Sequence, residues 1–344
     1  MVEPEGCFQR SVHANPSVIG ILLTSKCNIA CRHCCNESGP GHAGSVEFSS
    51  IARAIDEATH IPSVRQIGFS GGEPFLFLDL LHRAVEYAGS RGYSSSVTTN
   101  GFWGQSRAID GHLRTLRDAG LTSLCISTSA FHQEFLSSAR LSAAVALALD
   151  AGLAVTVNIV GSATFGRPSV ERSLGELADR VEVVVMPLLP SGRAATQAGI
   201  EEFEGAVAAP MGNCRHHFSK LAIDRRGDAY PCCSPGGFTD PLRLGNVYRD
   251  GLSAVLESAG QSRLLAILEE VGPAYFLPFL RASGMALPET FSDQCHLCHF
   301  MLSDEAMNKV VSRATDQLFE ELEGLNAMTE DRPGEEMSHG KPQN

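Results

Sequence analysis

Between residues 18 and 187 the chain alternates two patterns of apolar and polar positions. Short runs rich in β-branched residues, at 18–24, 64–70, 95–100, 122–128, 153–160 and 181–187, have the length and composition of strands. Amphipathic stretches at 49–58, 79–90, 107–119, 138–150 and 169–178 separate them. Asp79, Ser106 and Ser169 stand where helix N-caps belong, and Gly120 and Gly152 follow two of the helix ends. Strand–helix repetition with right-handed crossovers builds a parallel sheet. Six strands in series predict an α/β fold, a partial (β/α)6 barrel, with function gathered at the carboxyl ends of its strands.

After Pro190 the alternation stops. Residues 220–224 and 229–233, joined by a turn at 225–228 with Gly227 at the bend, predict a β-hairpin that places Cys232 and Cys233 on its second strand. Helical patterns follow at 252–258, 262–270, 275–282 and about 303–325, with Cys295-His-Leu-Cys298 between the last two. The expected organisation is an N-terminal segment at 1–17, the barrel at 18–190 and a small α+β domain at 191–301. A C-terminal helix at 302–328 and a polar tail at 329–344, expected to be disordered, complete it.

Composition narrows the function. At 344 residues, 43% hydrophobic and 19% charged, the chain can bury a large core. Its net charge of −12, with no block of Lys or Arg, disfavours nucleic acid and anionic membranes as partners. No apolar run is long enough to span a bilayer, and residues 1–14 lack the shape of a signal peptide, so the expected location is the cytoplasm. There, eleven cysteines read as metal ligands rather than disulfides. Seven fall into purposeful spacings; Cys7, Cys35, Cys125 and Cys233 are left over.

The loop after the first strand reads Cys27-Asn-Ile-Ala-Cys31-Arg-His-Cys34. Three thiolates can hold three irons of a cubane and leave the fourth open to a small molecule. Zinc is the competing reading for the triplet alone, with Cys35 or His33 as a fourth ligand. The second strand runs into Gly71-Gly72-Glu73-Pro74. With CxxxCxxC after strand one and GGEP after strand two, the chain resembles the radical S-adenosylmethionine (SAM) superfamily. The resemblance implies a [4Fe–4S] cluster with an open iron, SAM bound there, and reductive cleavage to a 5′-deoxyadenosyl radical that abstracts a substrate hydrogen. It also implies that Gly71, Gly72, Glu73 and Pro74 lie along the SAM methionyl group. His33 holds the usually aromatic place near the adenine, and Asn100, Ser127 and Arg193 are the remaining candidate SAM contacts. A low-potential donor such as flavodoxin or ferredoxin is the implied electron source.

A second set of cysteines follows. Twelve residues separate Cys214 from Gly227, four more separate Gly227 from Cys232, and Cys295 and Cys298 come later. This resembles the SPASM/twitch extension of radical SAM enzymes and implies an auxiliary [4Fe–4S] cluster closed by four cysteines. With no cysteine after Cys298, the shorter twitch form fits better. A four-cysteine zinc ribbon is the alternative.

The reaction depends on other residues. Strand parity would turn Cys233 away from Cys232, where a free thiol could donate a hydrogen atom to a substrate radical; a packed thiol or substitute ligand is the alternative. Cys125 shares the parity of Ser127 but lies deeper, which favours packing, and Cys35 could face the SAM pocket. After strand four, Phe131-His132-Gln133-Glu134-Phe135 places His132 and Glu134 where proton transfer or substrate binding can occur, or where a capping turn opens the next helix. This stretch, with Thr99-Asn100-Gly101-Phe102-Trp103 and Pro190-Ser191-Gly192-Arg193-Ala194, resembles the epipeptide peptide-epimerase subgroup, in which Cys233 would be the thiol donor, although Ser129 stands where many relatives have Asp. That resemblance implies modification of a ribosomally made peptide, with inversion of an α-carbon. Since strand one opens at Val18, no fused peptide-recognition domain is expected, and such a domain would be a separate chain. The alternative substrates are small metabolites such as a sugar or aminocyclitol. A non-enzymatic iron–sulfur or zinc protein would leave Gly71-Gly72-Glu73-Pro74 unexplained.

Overall fold

A computed structural model describes residues 14–197, 199, 203, 209–214 and 216–330, with the side chains of 326–330 left aside. Six strands are parallel neighbours in chain order: β1 (Val18–Leu22), β2 (Gln66–Ser70), β3 (Ser94–Thr99), β4 (Leu121–Thr128), β5 (Ala154–Gly161) and β6 (Glu182–Pro187). Between them run α1 (Phe48–Ala58), α2 (Leu78–Ser90), α3 (Ile109–Asp118), α4 (Ala130–Gln133), α5 (Ser138–Asp150) and α6 (Arg167–Leu174). This is the expected α/β partial barrel.

Alternation along the strands explains the layers. Ile19, Ile21, Ile67, Phe69, Leu124 and Ile126 point one way and are at most 1% exposed. They form one core with Leu81, Val85, Leu113 and Val145 of the helices. The opposite face is half-buried and carries small or polar residues, among them Gly68, Thr98, Cys125 and Asn158. Thr98, Cys125, Thr156 and Glu182 are successive partners across β3 to β6 and make one level of that face.

The predicted hairpin forms, as β7 (Lys220–Ile223) and β8 (Asp228–Tyr230), with Gly227 at φ +93°. It does not stand apart. β7 pairs in parallel with β1, and β9 (Gly245–Asn246) follows β8, so one sheet runs β6-β5-β4-β3-β2-β1-β7-β8-β9. Pro231 follows the last residue of β8, so Cys232 and Cys233 lie beyond the strand that was expected to carry them. Proline lacks the N–H that a further ladder bond needs.

The remaining helices are α7 (Ala194–Gln197), α8 (Val247–Asp250), α9 (Leu252–Gly260), α10 (Arg263–Glu270), α11 (Leu277–Ala282), α12 (Gln294–Ser303) and α13 (Glu305–Glu330). Contacts with α1 tie this part to the barrel: Glu57 accepts the Leu252 N–H, and Arg53 donates to the Val247 carbonyl at 3.0 Å.

Three helix starts differ from expectation. Asp79 is in the first turn of α2, because the 3-10 turn Pro74–Phe77 feeds directly into that helix. Ser106 closes the 3-10 turn Phe102–Gln105 instead of opening α3. Ser169 lies inside α6, whose start is set by Pro168 in the first turn. Gly120 and Gly152 follow their helices as expected, at φ +115° and +83°. The last helix runs through Thr329 and Glu330, where the tail was expected to begin; residues 331–344 and Cys7 lie outside the described residues.

Phe69, 1% exposed near the end of β2, tests this core. Phe69→Ala should lower the unfolding free energy by about 3–5 kcal/mol in a denaturant titration.

Candidate functional site

The loop after β1 is built to hold Cys27, Cys31 and Cys34 in one place. Its two ends are pinned by bonds from Leu23 N–H to Ser70 O and from Val46 N–H to Leu23 O, both 2.8 Å. Within it, Cys27 N–H donates to Gly39 O and Cys34 N–H to Cys31 O. Cys27 and Cys31 are buried beside Ile29, Phe131, Leu188 and Ala194. Burial, with the neighbouring thiols adding to it, pushes Cys27 up to about 11 and Cys31 up to about 12. Thiols that burial has made this hard to ionise lose their protons readily only to a cation, which suits this donor set to an iron–sulfur cluster.

Gly71 and Gly72 let β2 end against that loop. Gly72 N–H donates to Thr24 O at 2.6 Å, and Glu73 N–H to Lys26 O at 2.9 Å. A Cβ on Gly71, which has φ +137°, would lie 2.4 Å from Thr24 O; one on Gly72 would lie 2.1 Å from Lys26 O. Pro74 opens the 3-10 turn. Glu73 is fully buried and accepts from Phe75 N–H, Thr99 Oγ1 and Asn100 N–H at 3.1, 2.8 and 2.8 Å. Burial raises its carboxyl to about 7, against those three donors.

Asn100 connects the end of β3 to the same loop. Its Nδ2 donates to Asn28 Oδ1 at 2.9 Å and faces Cys27 Sγ at 3.6 Å. Ser127, in register with Asn158, lines a narrow cleft with Asn100, His132 and Arg140. Arg193 works from beneath the loop: Nε donates to Cys31 O at 2.9 Å, one guanidinium nitrogen to Ser38 O at 2.7 Å, and its backbone N–H to Cys34 O. The structure therefore places the Arg193 donors on the cysteine loop's carbonyls, where the sequence suggested a SAM contact.

His33 stacks on Phe131 at 4.9 Å between centroids, and His132 meets it edge-on at 4.8 Å. Burial lowers both imidazoles, His132 to about 4. Ser129 accepts the His132 N–H and caps α4, so a capping turn forms here. Ser129 Oγ also lies 2.8 Å from His132 Nδ1, which accounts for a hydroxyl here. Glu134 pairs with Arg32 at 2.8 Å, which anchors the FHQEF segment to the cysteine loop.

The second cysteine set also converges. Cys232 lies within electrostatic reach of Cys214 and Cys295, and Cys298 of all three. Burial raises every one of these thiols, Cys295 to about 12. Two glycines allow the approach: a Cβ on Gly237 would lie 2.3 Å from Cys232 Sγ, and one on Gly236 2.3 Å from Cys295 O. Cys233 is exposed and within reach of Cys35, Cys125, Cys232 and Cys295. Burial pushes Cys35 up to about 12 and Cys125 up to about 11, the latter in register with Thr98 on the half-buried face of the sheet. Arg32, Gly236 and Gly237 had no role assigned from the sequence, and Thr99 entered there only as the first residue of a stretch like the epimerase subgroup. Of these, only the Pro235-Gly236-Gly237 turn, one residue after Cys232 and Cys233, carried a local signal.

Residues 21–166 match the radical SAM superfamily, and residues 214–299 match the SPASM iron–sulfur cluster-binding domain. YydG of Bacillus subtilis (strain 168), named for peptide biosynthesis, is 25% identical over 297 residues, 81% of this chain and 90% of YydG. The GTP 3′,8-cyclase of Rhodococcus opacus (strain B4) is 33% identical over 119 residues, 33% of this chain and 32% of the cyclase. The crystal structure of BtrN with AdoMet and 2-DOIA is 15% identical with a TM-score of 0.47, over 74% of this chain and 87% of BtrN.

The glycine contacts are directly testable. Gly72→Ala should displace the cysteine loop and cut the iron of anaerobically reconstituted protein from about eight to about four per chain. Gly41→Ala, with open space around its Cβ, should leave iron content unchanged.

Proposed function

We propose that this chain, whose residues 21–166 match the radical SAM superfamily and whose residues 214–299 match the SPASM iron–sulfur cluster-binding domain, is a radical SAM enzyme that modifies a peptide by inverting an α-carbon, with Cys233 as the hydrogen donor. The observation that carries this reading is the setting of Cys233. Among the described residues it is the exposed cysteine, and its charge would be felt by Cys35 of the first loop, Cys125 of the sheet's polar face and Cys295 of the second set. A hydrogen donor needs such a junction, open to substrate, next to Cys232 of the second set and facing Cys35, the neighbour of Cys34. The similarity to YydG, named for peptide biosynthesis, supports the peptide as substrate.

Cys27, Cys31 and Cys34 would hold the cluster with an open iron, and Cys214, Cys232, Cys295 and Cys298 the auxiliary one. When bound, the first cluster and SAM supply a 5′-deoxyadenosyl radical that removes the substrate hydrogen. Cys233 then gives the hydrogen atom of its S–H to the carbon radical from the opposite face. The S–H bond breaks, a C–H bond of inverted configuration forms, and the sulfur regains one electron and one proton from the reducing system. Flavodoxin or ferredoxin is the class of donor that fits. Arg193 and the Arg32–Glu134 pair hold the loops that frame this space. Glu134, spent on Arg32, acts here by position rather than by proton transfer.

Cys233→Ala should still form 5′-deoxyadenosine and take deuterium from the labelled substrate, while losing turnover to inverted peptide. Unchanged epimerisation by that variant would refute the donor role. Cys27→Ala should lose SAM cleavage altogether.

A further inference from the structure

Where the cysteine loop meets α4, three metal-binding atoms converge in a way the radical reading uses only in part. The Cys31 sulfur and one ring nitrogen each from His33 and His132 all lie within 4.8 Å of one another. Two donors on one zinc ion are separated by less than the sum of their bond lengths, about 4.4 Å for sulfur and nitrogen. A small side-chain rotation therefore brings all three onto a single ion.

The surroundings prepare both imidazoles. His33 is held flat against Phe131, and its Nδ1 is buried without a hydrogen-bond partner. An orphaned ring nitrogen in an enclosed site costs free energy unless something binds it. His132 is oriented by Ser129, whose hydroxyl sits 2.8 Å from Nδ1 and leaves Nε2 for a ligand. The donor set, one sulfur and two imidazoles, matches the preference of zinc, with the fourth position open to water.

We propose that, when the first cluster is absent, Cys31, His33 and His132 bind one zinc ion. The Cys31 thiol releases its proton as the Zn–S bond forms, with no change of oxidation state. Because Cys31 is common to both, the zinc site and the cubane exclude one another. A chain that has lost its cluster is then held closed by the ion, with α4 clamped to the loop. Cys27 and Cys34 take no part. This inference does not depend on the reaction proposed above.

The test uses the full chain, stripped of iron, reduced, and titrated with Zn2+ against a chromophoric chelator. Two zinc ions should bind, one at the four auxiliary cysteines and one at this site. His33→Phe, His132→Phe and Cys31→Ala should each lose one ion, Cys27→Ala and Cys34→Ala none, and Ser129→Ala should weaken one ion about tenfold. His132→Gln, with circular dichroism on every variant, separates ligand loss from misfolding. The proposal is overturned if Cys27→Ala loses an ion as Cys31→Ala does. It is also overturned if His132→Phe and His132→Gln both fold and keep two ions.

Discussion

The structure depends on one close approach of backbone to backbone. The turn after β2 can lie against the end of β1 only because Gly71 and Gly72 have no side chains, and bonds to Thr24 O and Lys26 O then lock the two together. The same contact puts Glu73 under β3, where Thr99 and Asn100 take up its carboxylate. Asn100 in turn reaches Cys27 and Asn28. The ends of three successive strands thus support one cysteine loop, and none of the links spans more than a hydrogen bond.

Charge is used for support around this loop. Arg193 donates to carbonyls of Cys31 and Ser38, and Arg32 bridges to Glu134 of the segment after β4. The Arg32–Glu134 pair is more than a third exposed on both sides, so its direct contribution to stability is small, about 0–1 kcal/mol. Its value lies in fixing position, since it joins the loop after β1 to the segment that carries Phe131 and His132. Burial leaves the thiols themselves hard to ionise, and that cost is recovered when a cationic centre binds.

The second cysteine set is joined to the first through the sheet. β7 pairs with β1, so the hairpin preceding Cys232 starts from the strand preceding Cys27. Such pairing fixes the relative height of the two sets with backbone hydrogen bonds. Cys233, just beyond this hairpin, is close enough for its charge to be felt by Cys125 on β4 and Cys35 in the first loop. Pro231 ends the strand and Gly236 and Gly237 admit the cysteines, so the approach is shaped by residues with no metal chemistry of their own.

The sequence by itself determined the alternation of strands and helices, because the burial of one strand face and one helix stripe leaves a periodic mark at every element. It also marked the Cys27, Cys31 and Cys34 triplet, the Cys214 and Cys232 pair and the Cys295 and Cys298 pair, since spacing within a loop, around a hairpin or along one helical turn is local, but not that the two pairs meet. Cap positions failed at Asp79, Ser106 and Ser169, where short 3-10 turns and a first-turn proline competed with side-chain capping. Only the tertiary structure decided that the hairpin extends the barrel sheet, that Arg193 and Glu134 brace loops, and that Cys31, His33 and His132 share one small space. Each of these joins residues far apart in sequence, and pairing at that distance is settled by how packed elements meet, for which a single chain carries no periodic signal.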